Sequence, residues 1–271
     1  MPRAVPRLGG FELKVVILCG GLGTRLREET EFRPKPLVDV GGHPLLWHIM
    51  KLYAHYGFNE FVLCLGYRGN MIKDYFLNYE AMEGDFTITL GHGQPITYHG
   101  QQLEQDFRVT LADTGQETMT GGRIKRVEPY ISDDIFMCTY GDGVGDVDIK
   151  ALVDFHRSHG RLATVTAVQP QSRYGTLEFH ADRLEVRHFN EKPTLDGLIS
   201  AGFFVFDRKV LSYLHGDDCV LEQEPLARLA ADGQLMAYRH QGTWQPMDTY
   251  RDVLQLNEIW ATGRAPWKVW E

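Results

Sequence analysis

The hydrophobic pattern sets a rhythm of short buried runs and helical stretches. Val15–Cys19 is a continuous apolar run that stops at Gly20, Gly21 and Gly23. Such a run reads as a buried parallel strand emptying into a tight loop. From Pro44 to Tyr56, Leu45, Leu46, Ile49, Met50, Leu52 and Tyr53 recur at helical spacing, with proline in the first turn and Gly57 at the end. Phe61–Leu65 is a second buried strand and Met71–Tyr79 a second helix, with Tyr53, Tyr56, Tyr75, Phe76 and Tyr79 spaced as core aromatics. Strand and helix in alternation predict a parallel sheet covered on both faces.

Phe86–Asp113 breaks the rhythm. Polar and apolar positions alternate in Thr87–Leu90, Ile96–Tyr98 and Arg108–Leu111, which reads as antiparallel strands inserted into the α/β unit. Ile135–Thr139 restores a buried strand, Asp148–His159 a helix and Leu162–Val168 another strand. Beyond Tyr174, Thr176–Phe179 and Leu184–Val186 alternate around His180–Arg183 as a hairpin. Phe203–Phe206 is apolar, and Glu224–Ala231 and Asp248–Thr262 read as helices. The fold class is α/β: a mostly parallel sheet flanked by helices, with a β insertion over 86–113 and a small C-terminal lobe. Residues 14–271 form one domain, and 1–13 read as a flexible extension.

Composition narrows the partners. The chain has 271 residues, 43% hydrophobic and 24% charged, as in ordinary soluble domains. A net charge of −8 argues against a nucleic-acid coat. Any polyanion must therefore meet locally concentrated positive charge, helped by a metal ion. Cys19, Cys64, Cys138 and Cys219 are widely spaced, with no C-x-x-C, which points to a reduced, cytoplasmic setting. No apolar run reaches membrane-spanning length, and no signal-peptide core follows Arg3 and Arg7.

The candidate chemistry gathers behind the first strand. Glycines let backbone N–H groups approach a phosphate closely. Arg25 adds a planar fork and Lys35 a point charge. Pro34 and Pro36 are expected to hold Lys35 in an extended segment. Together these describe a polyphosphate cradle. Neither G-x-G-x-x-G nor G-x-x-x-x-G-K-[ST] is present. Asp142 also follows a buried strand directly, between Gly141 and Gly143, so it belongs on the same rim. A carboxylate there suits Mg²⁺, or simply caps a turn. Asp248 reads the same way, as a metal ligand or as the cap of the final helix. His156 and His159, and His48 and His55, share helix faces but lack a third ligand for zinc.

The loop Gly20-Gly21-Leu22-Gly23-Thr24-Arg25-Leu26 with Pro34-Lys35-Pro36 resembles the signature of the sugar-1-phosphate nucleotidylyltransferases. Tyr140-Gly141-Asp142-Gly143, Glu191-Lys192-Pro193 and Trp244–Thr249 follow in that family's order. Glu28–Thr30, Trp47–Met50, Met119–Arg123 and Ala265–Lys268 resemble its branch acting on CTP and glucose 1-phosphate, from about Lys14 to Glu271. The resemblance implies a Rossmann-like nucleotidyltransferase fold with a C-terminal sugar-side lobe. It implies Mg²⁺-dependent formation of CDP-glucose and pyrophosphate, and assembly as a homo-oligomer, in some members a hexamer. It places Leu18, Cys19, Gly20, Gly21, Leu22, Gly23, Thr24, Arg25, Lys35, Thr118, Arg123 and Gly141 at the nucleotide, with Arg25 and Lys35 catalytic. Glu191 and Lys192 would take the sugar phosphate, and Asp142 and Asp248 the metal. Four positions depart from that branch: Cys19, Ser200, Leu221 and Thr243. The last three are expected to border the sugar pocket.

Overall fold

The computed structural model describes residues 13–91, 96–99, 106–172, 174–180, 184–191, 193–194 and 196–270. The expected N-terminal extension therefore lies almost wholly outside the described residues.

One seven-stranded sheet carries the fold. Its strands are β1 (Lys14–Leu18), β2 (Glu60–Leu65), β3 (Arg108–Asp113), β4 (Ile135–Tyr140), β5 (Ala163–Val168), β6 (Ile199–Asp207) and β7 (Leu235–Arg239). Their spatial order is β7-β5-β6-β4-β1-β2-β3. β1 runs parallel to β2 and β4, β2 to β3, and β5 to β7. β6 alone runs antiparallel to its neighbours β4 and β5.

Successive strand residues feed opposite faces, as the two-residue period requires. Val15, Ile17, Met137, Phe203 and Val205 pack on one face with α1 (Leu45–His55), α2 (Gly69–Leu77), α4 (Ile149–His159) and α6 (Tyr250–Ala261). Val16, Leu18, Phe136, Cys138, Phe204 and Phe206 pack on the other, with α3 (Thr120–Arg126) and α5 (Glu224–Ala231). Burying each large apolar side chain contributes roughly 1.5–3 kcal/mol. All four cysteines are free and buried.

The insertion is smaller than its alternating pattern suggests. Arg108–Asp113 is β3, the parallel edge strand of the main sheet, not part of an antiparallel insert. An edge strand is half exposed and therefore alternates like an antiparallel one. What remains among the described residues is a ribbon of Asp85–Thr87 against Thr97–His99. The later hairpin pairs Thr176–Phe179 with Val186–Asn190, so its second strand starts at Val186, where Leu184 was expected.

The C-terminal segment packs over α1. His48 Nδ1 accepts from the Trp267 indole N–H at 3.4 Å, which leaves Nε2 to donate to the Val40 carbonyl at 2.8 Å. Burial pulls the His48 pKa down to about 4 and keeps this ring neutral. His156 and His159 converge on the Thr164 hydroxyl. Among the described residues, no helix is long and apolar enough to cross a membrane.

Candidate active site

The loop after β1 is shaped by what lies beneath it. Gly23 adopts a left-handed conformation with φ 63° and opens a short turn over Thr24–Leu26. Thr30 Oγ1 donates to the carbonyls of Gly23 and Leu26, closing the loop from below. Gly20 sits on the Arg123 guanidinium: a Cβ at this position would lie 2.2 Å from Arg123 Cζ. Gly21, Leu22, Thr24 and Arg25 remain exposed, with their face toward the cavity.

Arg123 was expected on the nucleotide side. The structure places it under the loop, 4% exposed. Nη1 donates to Leu65 O, Thr114 Oγ1 and Gly115 O at 3.1, 2.8 and 2.7 Å. Nη2 donates to Gly20 O and Gln116 O, both at 3.1 Å. Burial pulls its pKa down, and among the described residues no carboxylate forms an ion pair with it. Arg123 thus ties the glycine loop to the segment 114–116 at the other end of the cavity.

Lys35 reaches the site differently from expectation. Pro34 is extended, with ψ 147°, but Lys35 opens a 3₁₀ turn to Leu37, closed by Leu37 N–H to Pro34 O at 2.8 Å. The turn aims the ammonium at the rim. Lys35 Nζ donates to Asp142 Oδ2 at 3.0 Å and to Asp248 Oδ1 at 2.9 Å. Arg25 Nη1 lies 3.6 Å from Asp248 Oδ2. Two carboxylates and two cations from four segments therefore share one point.

The two aspartates meet through strand register. Gly143–Gly145 pairs antiparallel with Trp244–Pro246, and Met247 N–H donates to Asp142 O at 2.8 Å. Asp142 and Asp248 so end adjacent strands of one ribbon. Asp248 is not the cap of α6. Thr249 is, in a reciprocal capping box with Asp252. Asp252 Oδ2 also accepts from the backbone N–H of Asp248, fixing the carrier of the second carboxylate. Asp146 holds the ribbon's far end, accepting from Thr243 N–H at 2.6 Å, with His240 Nε2 2.9 Å away.

Two cavities flank Asp248. One, of about 480 Å³, is lined by Leu18 through Arg25, Lys35, Gln116–Thr120, Arg123, Gly141, Asp142 and Asp248. The other, of about 860 Å³, is lined by Val168–Ser172, Thr243–Pro246, Asp248, Arg251 and Gln255 among others. The first is lined by every expected nucleotide residue, Thr118 and Gly141 included. Cys19 is buried, and its thiol pKa is raised by that burial. Glu191 is exposed on the hairpin and lines neither cavity. Lys192 lies outside the described residues. Of the three departures assigned to the sugar pocket, Thr243 lines the second cavity and Ser200 follows the lining residue Ile199. Leu221 is fully buried in the core with α5 and does not border it.

Sequence reasoning missed Arg251 and Gln255, which line the second cavity from α6. Their spacing from Asp248, three and seven residues, was a helical signal available in the sequence. It also missed Asp146, whose role depends on a loop nearly a hundred residues away.

A glycine loop and a carboxylate pair thus meet on the rim of a mostly parallel sheet. The family described as Nucleotidyl transferase matches residues 14–261, and the chain belongs to it. Within it, the chain is 50% identical over 261 residues to the glucose-1-phosphate cytidylyltransferase of Salmonella typhimurium, covering 96% of this chain and 100% of that one. It is 28% identical over 248 residues to the mannose-1-phosphate guanylyltransferase catalytic subunit beta of Xenopus tropicalis, covering 89% of this chain and 63% of that one. A UDP-glucose pyrophosphorylase structure from Acinetobacter baumanii shares the fold, with TM-score 0.68 and 16% identity over 93% of this chain and 94% of that one.

Proposed function

We propose that this chain transfers a cytidylyl group from CTP to α-D-glucose 1-phosphate, giving CDP-glucose and pyrophosphate. The observation carrying the reading is the pair of cavities that meet at Asp248, one floored by the glycine loop and one lined by polar side chains. The full-length 50% identity to a relative of that activity supports the choice of base and sugar.

In the reaction, a phosphate oxygen of glucose 1-phosphate forms a bond to the α-phosphorus of CTP. The bond from that phosphorus to the β-phosphate bridging oxygen breaks, and pyrophosphate leaves with the electron pair. No covalent enzyme intermediate is needed. The chain's task is to align two polyanions and offset their charge.

Backbone N–H groups of residues 20–23 and the Arg25 guanidinium hold the β- and γ-phosphates. Lys35 offsets charge developing around the α-phosphorus. Thr118 and Gly141 border the nucleoside, and Arg123 acts through the loops it joins. The family resemblance alone assigns Glu191 and Lys192 to the sugar phosphate, since Glu191 lines neither cavity. Asp142 and Asp248 suit a divalent cation that takes one or two carboxylates and completes its shell with phosphate oxygens. Their convergence on one cationic group is the fit. Mg²⁺ bound there would neutralise phosphate charge.

We further infer a cytoplasmic homo-oligomer. Four free buried thiols suit a reducing compartment. Phe86, Ile88, Ile96 and Tyr98 are exposed around the small ribbon and suit contact between copies.

Pyrophosphate release with glucose 1-phosphate and Mg²⁺ tests the reading, with CTP, UTP, dTTP, ATP and GTP offered separately. Release with CTP far above the others is the expected result. Release with another nucleotide alone would overturn the choice of base, and release with none would overturn the choice of sugar phosphate or the activity.

A further inference from the structure

The carboxylate pair is already bridged by a cation belonging to the chain. Lys35 Nζ stands 3.0 Å from Asp142 Oδ2 and 2.9 Å from Asp248 Oδ1. Its side chain is only 11% exposed, whereas Asp142 is 43% exposed and so open to the cavity. Arg25 adds a second positive charge 3.6 Å from Asp248. Among the described residues, two carboxylates thus meet one ammonium and one guanidinium.

From this geometry we infer that Lys35 is a resident counter-ion, occupying the place a divalent cation takes and leaving it only when a polyphosphate arrives. The inference rests on the reading of Asp142 and Asp248 as cation ligands. A divalent cation entering alone must push an ammonium off both carboxylates, and among the described residues the other carboxylate lining the cavity is Glu117, which makes no ion pair with Lys35. Arg25 would then lie near a surplus of positive charge. Like charges in a partly buried site oppose one another strongly. When the cation enters with a nucleoside triphosphate, the phosphates supply the anion that Lys35 moves to. The free protein therefore binds divalent cations weakly, and cation and triphosphate bind cooperatively.

A charge at Lys35 also keeps the empty site intact. Without it, Asp142 and Asp248 bring two like charges together on adjacent strand ends, with Arg25 3.6 Å from Asp248. Lys35 so holds the free site together with the same ammonium that the loaded site directs at phosphate.

Mn²⁺ titration followed by electron paramagnetic resonance, with no nucleotide present, tests this independently of turnover. Wild-type protein is compared with Lys35→Met and, as a second neutral variant should the first fold poorly, Lys35→Gln. Lys35→Arg retains the charge. The neutral variants are expected to bind Mn²⁺ about tenfold or more tightly than wild type, since a competing charge is gone, and added Mn²⁺ should raise their thermal midpoint more than it raises that of wild type. Lys35→Arg should remain weak. Equal or weaker Mn²⁺ binding by the neutral variants would overturn the inference while leaving the carboxylate reading intact. A wild-type protein whose Mn²⁺ binding in the presence of CTP is unaffected by Asp142→Asn and Asp248→Asn would overturn that reading, and the inference with it.

Discussion

Replacing Arg123 by alanine separates a support beneath the site from a ligand within it. The guanidinium donates to five protein oxygens: Leu65 O, Thr114 Oγ1, Gly115 O, Gly20 O and Gln116 O. A hydrogen bond to a charged group contributes roughly 1.5–3 kcal/mol. Five such bonds do not simply add, because several acceptors keep another donor. Leu65 O still receives the Thr114 backbone N–H at 2.9 Å and its hydroxyl at 2.7 Å. Gly20 O still receives Tyr67 N–H at 3.3 Å. The Gly115 and Gln116 bonds are only partly buried, so water can replace the lost donor. Loss of the buried cation also removes its own desolvation cost. The expected net loss is about 2–4 kcal/mol, which for a chain of this size lowers the thermal midpoint by roughly 4–12 °C. Calorimetry would measure the midpoint, and initial rates would measure the CTP dependence. Arg123→Lys keeps the charge but has one terminal nitrogen, so it should also lose stability and raise KM for CTP more than it lowers kcat. An unchanged midpoint in Arg123→Ala, with CTP binding abolished, would refute the support role and put the guanidinium on the nucleotide.

Asp142→Asn and Asp248→Asn should each lower pyrophosphate release on the order of 10²-fold or more while the protein remains folded by circular dichroism; near wild-type turnover in either would remove that residue from the reaction. His48 is held neutral by burial with a pKa of about 4, below that of an unfolded histidine. The unfolded chain therefore binds the extra proton first, and stability present above the unfolded pKa is lost as pH falls from about 6.5 toward 4, by up to about 3 kcal/mol. Thermal midpoints across that range should drop less steeply in His48→Gln, and an equal slope would show that His48 does not contribute. Light scattering should find more than one copy per particle, and Phe86→Ser with Tyr98→Ser should shift it toward monomer; an active wild-type monomer would refute the oligomer.

Much of this architecture was legible because each feature has a local cause. The apolar run Val15–Cys19 and the glycines behind it specify strand and loop without help from the rest of the chain. Lys35, Asp142 and Asp248 could be nominated one by one: Asp142 as the residue after a buried strand, Lys35 as a cation between two prolines, and Asp248 through the family resemblance. Their meeting was a matter of topology: the partners of Lys35 lie 107 and 213 residues away, brought in by the pairing of Gly143–Gly145 with Trp244–Pro246. What escaped the sequence depends on environment more than on pattern. Arg108–Asp113 alternates because it is an edge strand, and no count of polar positions distinguishes an edge from an insertion. Arg123, Lys125 and Arg126 read as one basic cluster. The helix divides them: Arg123 turns inward to carbonyls from three segments, Lys125 reaches Leu211 O, and Arg126 pairs with Asp217. A buried guanidinium satisfied by backbone oxygens leaves no complementary carboxylate in the sequence to betray it. Leu221 was misplaced for a different reason: the family resemblance assigned it to the sugar pocket, while its side chain fills the core. The positions hardest to read are thus those where one residue joins segments distant in the chain, as Arg123 joins the loop at Gly20 to Gly115 and Gln116.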